Sequence, residues 1–304
     1  MYKRLETVFL GKTLKNNIIT SSGCFGFGEE FRDYFDVNKL GAISLKGLTL
    51  EKREGNKGIR IAETPSGMLN CIGLENPGID YFRDSIIPNI KYSTPIIVNI
   101  NGSTTEDYIK IAEIVNEIDR IDFVELNISC PNVKNGGLAF GVSCESAESI
   151  TRLVKKVLTK KPLIVKLSPN VTDIATIAKS VENAGADSIS LVNTFLAMKI
   201  DIKKRKPLLG NTFGGLSGDA IRPIAIRMVY QAFKAVSIPI IGMGGISSYE
   251  DALEFIMAGS SLVSVGASIF SNPLVGIEII EGINNYLVEN NINNIKDLVG
   301  VAHL

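Results

Sequence analysis

The sequence predicts an α/β fold, a single (β/α)8 barrel of the TIM-barrel class over residues 1–304, and three observations carry that prediction. Eight short runs rich in β-branched residues alternate with stretches whose apolar residues recur every three or four positions. Two of the connections are far longer than a βα loop requires, and each follows a strand, so both rise over the face where the strands end. The first seventeen residues turn around Gly11-Lys12 and predict a small hairpin that plugs one end of the domain. Length alone would suggest two domains, but α/β barrels commonly run this long as one. A doubly wound open sheet is the alternative architecture, and it would normally need fewer units.

Taken in order, the strands begin with Ile18-Ile19-Thr20, which runs into Ser21-Ser22-Gly23-Cys24, and Ala42–Lys46. Pro95–Ile100, Asp122–Ile128 and Leu163–Ser168 follow, then Asp187–Val192, Pro239–Met243 and Leu262–Gly266. Helical periodicity covers Tyr108–Ile118, Ser149–Leu158, Ile174–Ala184, Ile221–Val236 and Ala252–Met257. Asp173 and Asp219 stand near helix starts, and Gly185 and Gly259 follow helix ends, as capping predicts. The first insertion, residues 47–80, contains the strand-like Ile59–Ala62. The second, residues 195–218, predicts a β-hairpin whose basic tip, Lys203-Lys204-Arg205-Lys206, is a solvated turn.

Composition excludes several functions. Lysine plus arginine and aspartate plus glutamate are 32 each, so no basic field attracts nucleic acid. Cys24, Cys71, Cys130 and Cys144 form no CxxC pair, which argues against a disulfide framework, a metal site or an iron–sulfur cluster held by this chain. The amino terminus lacks the apolar core of a signal peptide, and no apolar run approaches a membrane span. A cytoplasmic, enzyme-sized domain is expected.

The candidate site centres on Glu125-Leu126-Asn127-Ile128-Ser129-Cys130-Pro131-Asn132. Strand alternation turns Val124, Leu126 and Ile128 one way and Glu125, Asn127 and Ser129 the other. Pro131 ends the ladder and places Cys130 where the strand opens into a loop. A cysteine there can be an inert small hydrophobe or a reactive group. The flanking amides of Asn127 and Asn132 are what an inert core cysteine would not need. The only histidine is His303, near the end of the sequence, so proton transfer falls to another group and the weight moves to Cys130. Asn127-Ile128-Ser129 also matches a glycosylation sequon, a match without meaning inside a buried strand.

Read at their carboxyl ends, the strands present Ser22, Lys46, Asn99, Asn127 with Cys130, Lys166, Asn193 with Thr194, Gly244-Gly245 and Gly266. Parity puts Ser44 with Lys46, Ile97 with Asn99, and Ile164 with Lys166 and Ser168 on the inner face. Two inward lysines would each cost several kcal/mol if unpaired. They could reach the rim or pair with Glu125, or the set could take a large, polar, anionic ligand. The glycine turns Gly242–Ile246 and Gly266-Ala267-Ser268 follow the seventh and eighth strands, where barrels often bind phosphate on backbone N–H groups and a helix amino terminus. Phosphate there, with lysine and asparagine deeper in, suits FMN lying across the mouth.

These residues resemble class 1 dihydroorotate dehydrogenases, FMN barrels of pyrimidine biosynthesis. The resemblance covers nearly the whole chain. It is carried by Ser22–Gly28, Met68–Gly78, Leu126–Gly137, Val165–Asn170, Gly214–Gly218 and Ile241–Ile246. Lys134–Gly137 and Ala139-Phe140-Gly141 are most similar to the 1B branch. That branch implies a partner subunit carrying FAD and a [2Fe–2S] cluster, NAD+ as acceptor, and a homodimer core within a heterotetramer.

By resemblance, Cys130 is the catalytic base for dihydroorotate. Lys46, Asn70, Cys71, Ile72, Gly73, Leu74, Asn127, Asn193 and Thr194 hold substrate. Ser22, Lys46, Gly47, Asn99, Asn127, Lys166, Val192, Gly218, Gly244, Gly245, Gly266 and Ala267 hold FMN. Glu75 stands where the family usually has glutamine. A fumarate-linked 1A enzyme, a Schiff-base lyase or aldolase using Lys46 or Lys166, and a non-catalytic flavin-binding subunit are the competing readings.

Overall fold

The computed structural model describes residues 2–129 and 138–303. Its organising element is an eight-stranded parallel sheet. In chain order the strands are β3 (Ile18–Thr20), β4 (Ile43–Ser44), β7 (Ile96–Ile100), β8 (Phe123–Asn127), β9 (Leu163–Lys166), β10 (Ser188–Leu191), β15 (Ile240–Met243) and β16 (Leu262–Val265). They neighbour one another in the order β3-β16-β15-β10-β9-β8-β7-β4. A parallel bridge between Ile19 and Ala42 closes the ring from β4 back to β3, and the Gly41 N–H donates to the Ile18 carbonyl at 2.9 Å. The expected strands are all present, Ile18–Thr20 at full length and the other seven shortened by one to three residues where pairing stops at the loops.

Helices α2 (Thr105–Asn116), α4 (Cys144–Val157), α5 (Ile174–Asn183), α6 (Arg222–Ala235), α7 (Tyr249–Met257) and α8 (Val275–Glu289) surround the sheet, with two short pieces, α1 (Ile79–Tyr81) and α3 (Leu138–Gly141). Their starts follow local chemistry. Thr104 with Asp107, and Ser248 with Asp251, form reciprocal capping boxes on α2 and α7. Asp173 caps α5 by accepting from the Ala175 and Thr176 N–H groups. Asp219 opens a 3-10 turn, Asp219–Ile221, that leads into α6. Gly185 and Gly259 end α5 and α7 with φ of +99° and +124°, as their positions after the helices predict. After the last strand, beyond the helical stretches named from the sequence, Val275, Ile279, Ile280, Ile283 and Leu287 line the buried face of α8 at helical spacing.

Parity along the strands sorts the core. Leu45, Val98, Val124, Leu126, Ile128, Val165 and Leu167 pack outward against the helices. Ile19, Ala42, Ile97, Phe123, Ile164, Ile241, Met243 and Leu262 form a separate inner layer. The amino-terminal hairpin, β1 (Thr7–Phe9) and β2 (Lys12–Leu14), sets Phe9 and Leu14 into that layer and closes the floor. The plug expected from the sequence is therefore there, with Phe9 edge-on to Phe123 at 5.6 Å.

The insertions form one structure together. From residues 47–80 come β5 (Ile61–Thr64) and β6 (Gly67–Asn70); from residues 195–218 come β11 (Phe195–Ala197) and β14 (Gly214–Ser217). These pair antiparallel in the order β11-β14-β6-β5, over a small core of Ala62, Leu69, Cys71 and Leu209. The basic hairpin also forms, as β12 (Ile200–Asp201) with β13 (Lys206–Pro207) and exposed residues at its tip. The join between β6 and β14, across 145 residues of sequence, has no local signal in the sequence. Among the described residues no helix is long and apolar enough to cross a membrane.

Candidate active site

Above the apolar floor the inward positions turn polar. Ser44, Asn99, Glu125, Lys166, Ser190 and Ser264 are all buried, each two residues beyond an apolar floor residue or level with one that is. Burial of so many polar groups is tolerable only if they satisfy one another or a ligand. Glu125 accepts from Asn99 Nδ2 at 2.6 Å and from the Ser190 hydroxyl at 2.6 Å. Lys166 Nζ lies 3.9 Å from Glu125 Oε2, with 5 % and 4 % of the two side chains exposed. Among the readings open to an inward lysine, pairing with Glu125 thus applies to Lys166. At that distance the pair attracts without a direct hydrogen bond.

A line of amides climbs from this floor. Asn99 Oδ1 accepts from Asn101 Nδ2 at 2.8 Å and from Asn127 Nδ2 at 3.4 Å. Asn127 Oδ1 accepts from the Ser129 N–H at 3.1 Å and its hydroxyl at 2.8 Å. Asn193 Nδ2 donates to Ser129 Oγ at 2.7 Å, and its Oδ1 takes the Thr194 N–H at 2.8 Å. Asn99, Asn127, Lys166, Asn193 and Thr194 therefore share one network. Glu125, Ser129 and Ser190 also bind into it; the first two lie in the stretch on which the candidate site centres, and none of the three is among the residues expected to hold substrate or cofactor. Their inward parity was the available signal. Cys130 lies at 130–137, outside the described residues.

The glycine turns meet at the strand ends. Gly244 and Gly245 have φ of +129° and +72°. A Cβ on Gly245 would stand 2.7 Å from the Gly218 carbonyl oxygen, and one on Gly218 would stand 2.5 Å from Gly67 Cα. Gly218 thus joins the turn after β15 to the β5–β6 turn of the insertion sheet. The Ser268 hydroxyl donates to the Ile246 carbonyl at 2.7 Å, tying the Gly266-Ala267 turn to the same place. Gly266 is followed by a four-residue 3-10 turn, Ala267–Phe270. Val192 is buried beside the Gly244-Gly245 turn, its N–H donating to the Met243 carbonyl at 3.0 Å.

Gly47 packs where an added Cβ would meet Asn101 Nδ2 at 2.6 Å and Asn99 Oδ1 at 2.8 Å. Ser22 and Lys46 are half-buried at the mouth, and the Lys46 N–H donates to the Gly26 carbonyl at 2.8 Å. Cys24, close to the position a Cβ on Gly266 would take, also belongs here. Burial pushes its thiol up to about 11, against a smaller opposing pull from Lys166.

The insertion sheet delivers the remaining residues. Asn70 ends β6, with Nδ2 donating to the Gly215 carbonyl at 3.4 Å. The loop Cys71–Leu74 is held by Asn56, whose Nδ2 donates to the Cys71 carbonyl at 3.0 Å and whose N–H donates to the Ile72 carbonyl at 2.9 Å. Gly73 has φ of +81°, and Leu74 adopts φ of +57°, a left-handed geometry unusual for leucine. The Cys71 thiol turns into the sheet's own core and towards the Ile59 carbonyl, so its contribution at the loop is backbone. Glu75 pairs with Arg60 at 2.5 Å. The Arg60 guanidinium holds the Glu75 carboxyl below the usual range, with a lesser contribution from Lys46.

A (β/α)8 barrel with buried amides, a lysine–glutamate pair and glycine turns at the carboxyl ends of its strands is an enzyme of the barrel class that works from that face. The family model for dihydroorotate dehydrogenase matches residues 4–287, and the chain belongs to that family. A catalytic subunit of dihydroorotate dehydrogenase B (NAD(+)) from Brachyspira hyodysenteriae is 77% identical over 301 residues, covering 99% of each chain. Proteins of the same name from Desulforamulus reducens and Bacteroides thetaiotaomicron are 56% and 54% identical, covering 95% and 96% of each chain. The likeness is therefore to the 1B class. The crystal structure of an Eimeria tenella dihydroorotate dehydrogenase in complex with ferulenol superposes with a TM-score of 0.80, covering 99% of this chain and 89% of that one. At 23% identity it supports the barrel fold alone.

Proposed function

We propose that this chain is the catalytic subunit of an NAD+-linked dihydroorotate dehydrogenase, oxidising dihydroorotate to orotate in pyrimidine biosynthesis. The observation that carries the reading is the amide line from Asn193 to Asn99, which ends on the buried Glu125–Lys166 pair beside two glycine turns. Such a site offers alternating donors and acceptors to a planar heterocycle and a positive charge beneath it.

The residues fit FMN. Ser44 Oγ and Asn101 Oδ1 are buried with no partner among the described residues, and Gly47 leaves the space over Asn99 and Asn101 that a Cβ would fill. Ser22, Lys46, Gly47, Asn99, Asn127, Lys166 and Val192 would hold the ring and ribityl chain, and Gly218, Gly244, Gly245, Gly266 and Ala267 the phosphate. Bound FMN supplies the hydride acceptor for C6 of dihydroorotate and the route for electrons out of the site.

The chain's own residues do the rest. Asn70, Asn127, Asn193 and Thr194, with backbone from Cys71 to Leu74, would hold the pyrimidine and its carboxylate. Lys46 would lie between substrate and flavin. Cys130 would take the proton from C5, since a thiol with an ordinary value near ~8.5 needs only modest tuning to act as a base near neutrality. Lys166 would supply positive charge under the ring system.

The sequence carries no strand-linked G-x-G-x-x-G fingerprint for a dinucleotide; the run from Gly23 to Gly28 has the wrong spacing. NAD+ reduction is accordingly assigned to a partner subunit with FAD and a [2Fe–2S] cluster, docked on a homodimer of this chain in a cytoplasmic heterotetramer. The test is anaerobic addition of dihydroorotate to the purified protein, followed by turnover assays. The flavin band should bleach, artificial dyes should be reduced, and NAD+ should be reduced only when the partner is added. Absence of bound flavin would sink the reading. Rapid NADH formation by the lone chain would overturn the division between subunits, and strong fumarate reduction would move the chain to the 1A branch.

A further inference from the structure

Glu125 is nearly inaccessible, with 4 % of its side chain exposed. A carboxylate can only accept hydrogen bonds, whereas a carboxamide can present either end. That asymmetry propagates. With Glu125 Oε2 accepting at 2.6 Å, Asn99 must turn its NH2 group downward, which leaves Oδ1 to receive Asn101 and Asn127. Asn127, having donated downward, presents Oδ1 to Ser129. The Ser129 hydroxyl, having donated, accepts from Asn193. Every side-chain donor along the line points towards Glu125. No neutral residue in its place would impose that direction. The same carboxylate stands 3.9 Å from Lys166, whose ammonium has no other ion-pair partner among the described residues.

We propose that Glu125 is the positioning residue of this site: its carboxylate sets the direction of the amide line from Asn99 to Asn193 and offsets the charge of Lys166. The inference rests on the flavin reading above. Two consequences follow. Without the carboxylate, the uncompensated lysine favours the more negative, reduced flavin. The amides also become free to reverse, so the face offered to the pyrimidine loses its fixed pattern. A carboxylate that served stability alone would produce neither effect.

The experiment compares the FMN-loaded wild type with E125Q, E125D, K166M and the double variant E125Q/K166M. The preference for reduced over oxidised flavin is read from the midpoint potential, and the orotate dissociation constant from perturbation of the flavin band. E125Q should increase the preference for reduced flavin tenfold or more, an upward shift of about 30 mV for a two-electron couple. It should also weaken orotate about tenfold. The potential shift should vanish when Lys166 is already methionine. E125D, which keeps the charge but draws it back, should move both readouts the same way by a smaller factor.

A lowered melting temperature with unchanged potential and orotate affinity would overturn the proposal. So would an E125Q potential shift of equal size in the K166M background. Should E125Q fail to fold, E125D decides the matter on the same two readouts. Wild-type protein that holds FMN yet does not bind orotate would fail the substrate reading, while the potential shift would still judge Glu125.

Discussion

Replacing Gly218 by alanine tests how firmly the glycine turn is built. Gly218 has φ of +100° and ψ of −174°, a region open essentially to glycine alone and costing other residues about 1–3 kcal/mol. The new Cβ would also stand 2.5 Å from Gly67 Cα and 3.2 Å from the Ser66 carbonyl oxygen. Both are backbone atoms, so no side chain can swing aside. Overpacking of this kind adds about 1–3 kcal/mol. The sum is about 2–6 kcal/mol, and at roughly 2 °C per kcal/mol the melting temperature should fall by roughly 4–12 °C. Part of the strain should be relieved by Gly218 moving away from Gly245, so FMN retention through gel filtration should fall as well. The control is Gly11→Ala, with φ of +82° but nothing within 4 Å of the added Cβ. It should cost only the backbone component and leave FMN retention unchanged. Wild-type retention and melting in Gly218→Ala would refute the close-packed join between the turn and the insertion sheet.

Other outcomes follow from the same reasoning. Cys130→Ser should retain FMN but nearly abolish flavin reduction by dihydroorotate at neutral pH, recovering partly as the pH rises; stopped-flow reduction at the wild-type rate would remove the thiol as base. Lys166→Ala should loosen FMN and also destabilise the fold by about 3 kcal/mol, the low end for breaking a buried pair, because Glu125 keeps its bonds to Asn99 and Ser190. Urea titration of protein stripped of FMN checks the second part, and kinetics per bound flavin the first. Cys24, pushed to about 11 by burial, should stay unalkylated near neutral pH and react only as the pH approaches that value, as peptide mass mapping would show. The Arg60–Glu75 pair depresses the Glu75 carboxyl, so its support of the substrate loop is present above the ordinary glutamate value of about 4.3 and lost as the pH falls through the lower folded value. Glu75→Gln should therefore flatten the acid limb of orotate binding.

Much of the barrel was legible because one periodicity governs each part of it. Alternation along Pro95–Ile100, Asp122–Ile128 and Leu163–Ser168 separated the helix-facing residues from Ile97, Phe123 and Ile164 on the floor. Capping chemistry located α5 from Asp173 and its end from Gly185. The inward lysine at Lys166 and the candidate partner Glu125 could both be read from parity. What alternation could not give was the order of hydrogen bonds among them, since asparagine and serine each donate and accept. The pairing of β6 with β14 was hidden for another reason. Register between segments that far apart depends on backbone bonds such as Gly215 with Asn70, and no local pattern encodes those. Helix α8 was within reach of the spacing argument, and its apolar stripe from Val275 to Leu287 is plain once the eighth strand is not taken as the end.

The join between β6 and β14 also orders events during synthesis. The hairpin of β5 and β6 leaves the ribosome long before its third strand exists, and a two-stranded ribbon alone is marginal in water. Asn70 and the loop it supports must wait for Gly215, 145 residues later. Closing a contact of that span is slow compared with forming local strand–helix units. The early strands and helices can therefore dock before the sheet over the mouth is complete, and that sheet becomes a late closure. In a cell short of flavin, that interval is when the cofactor has its widest approach to the barrel.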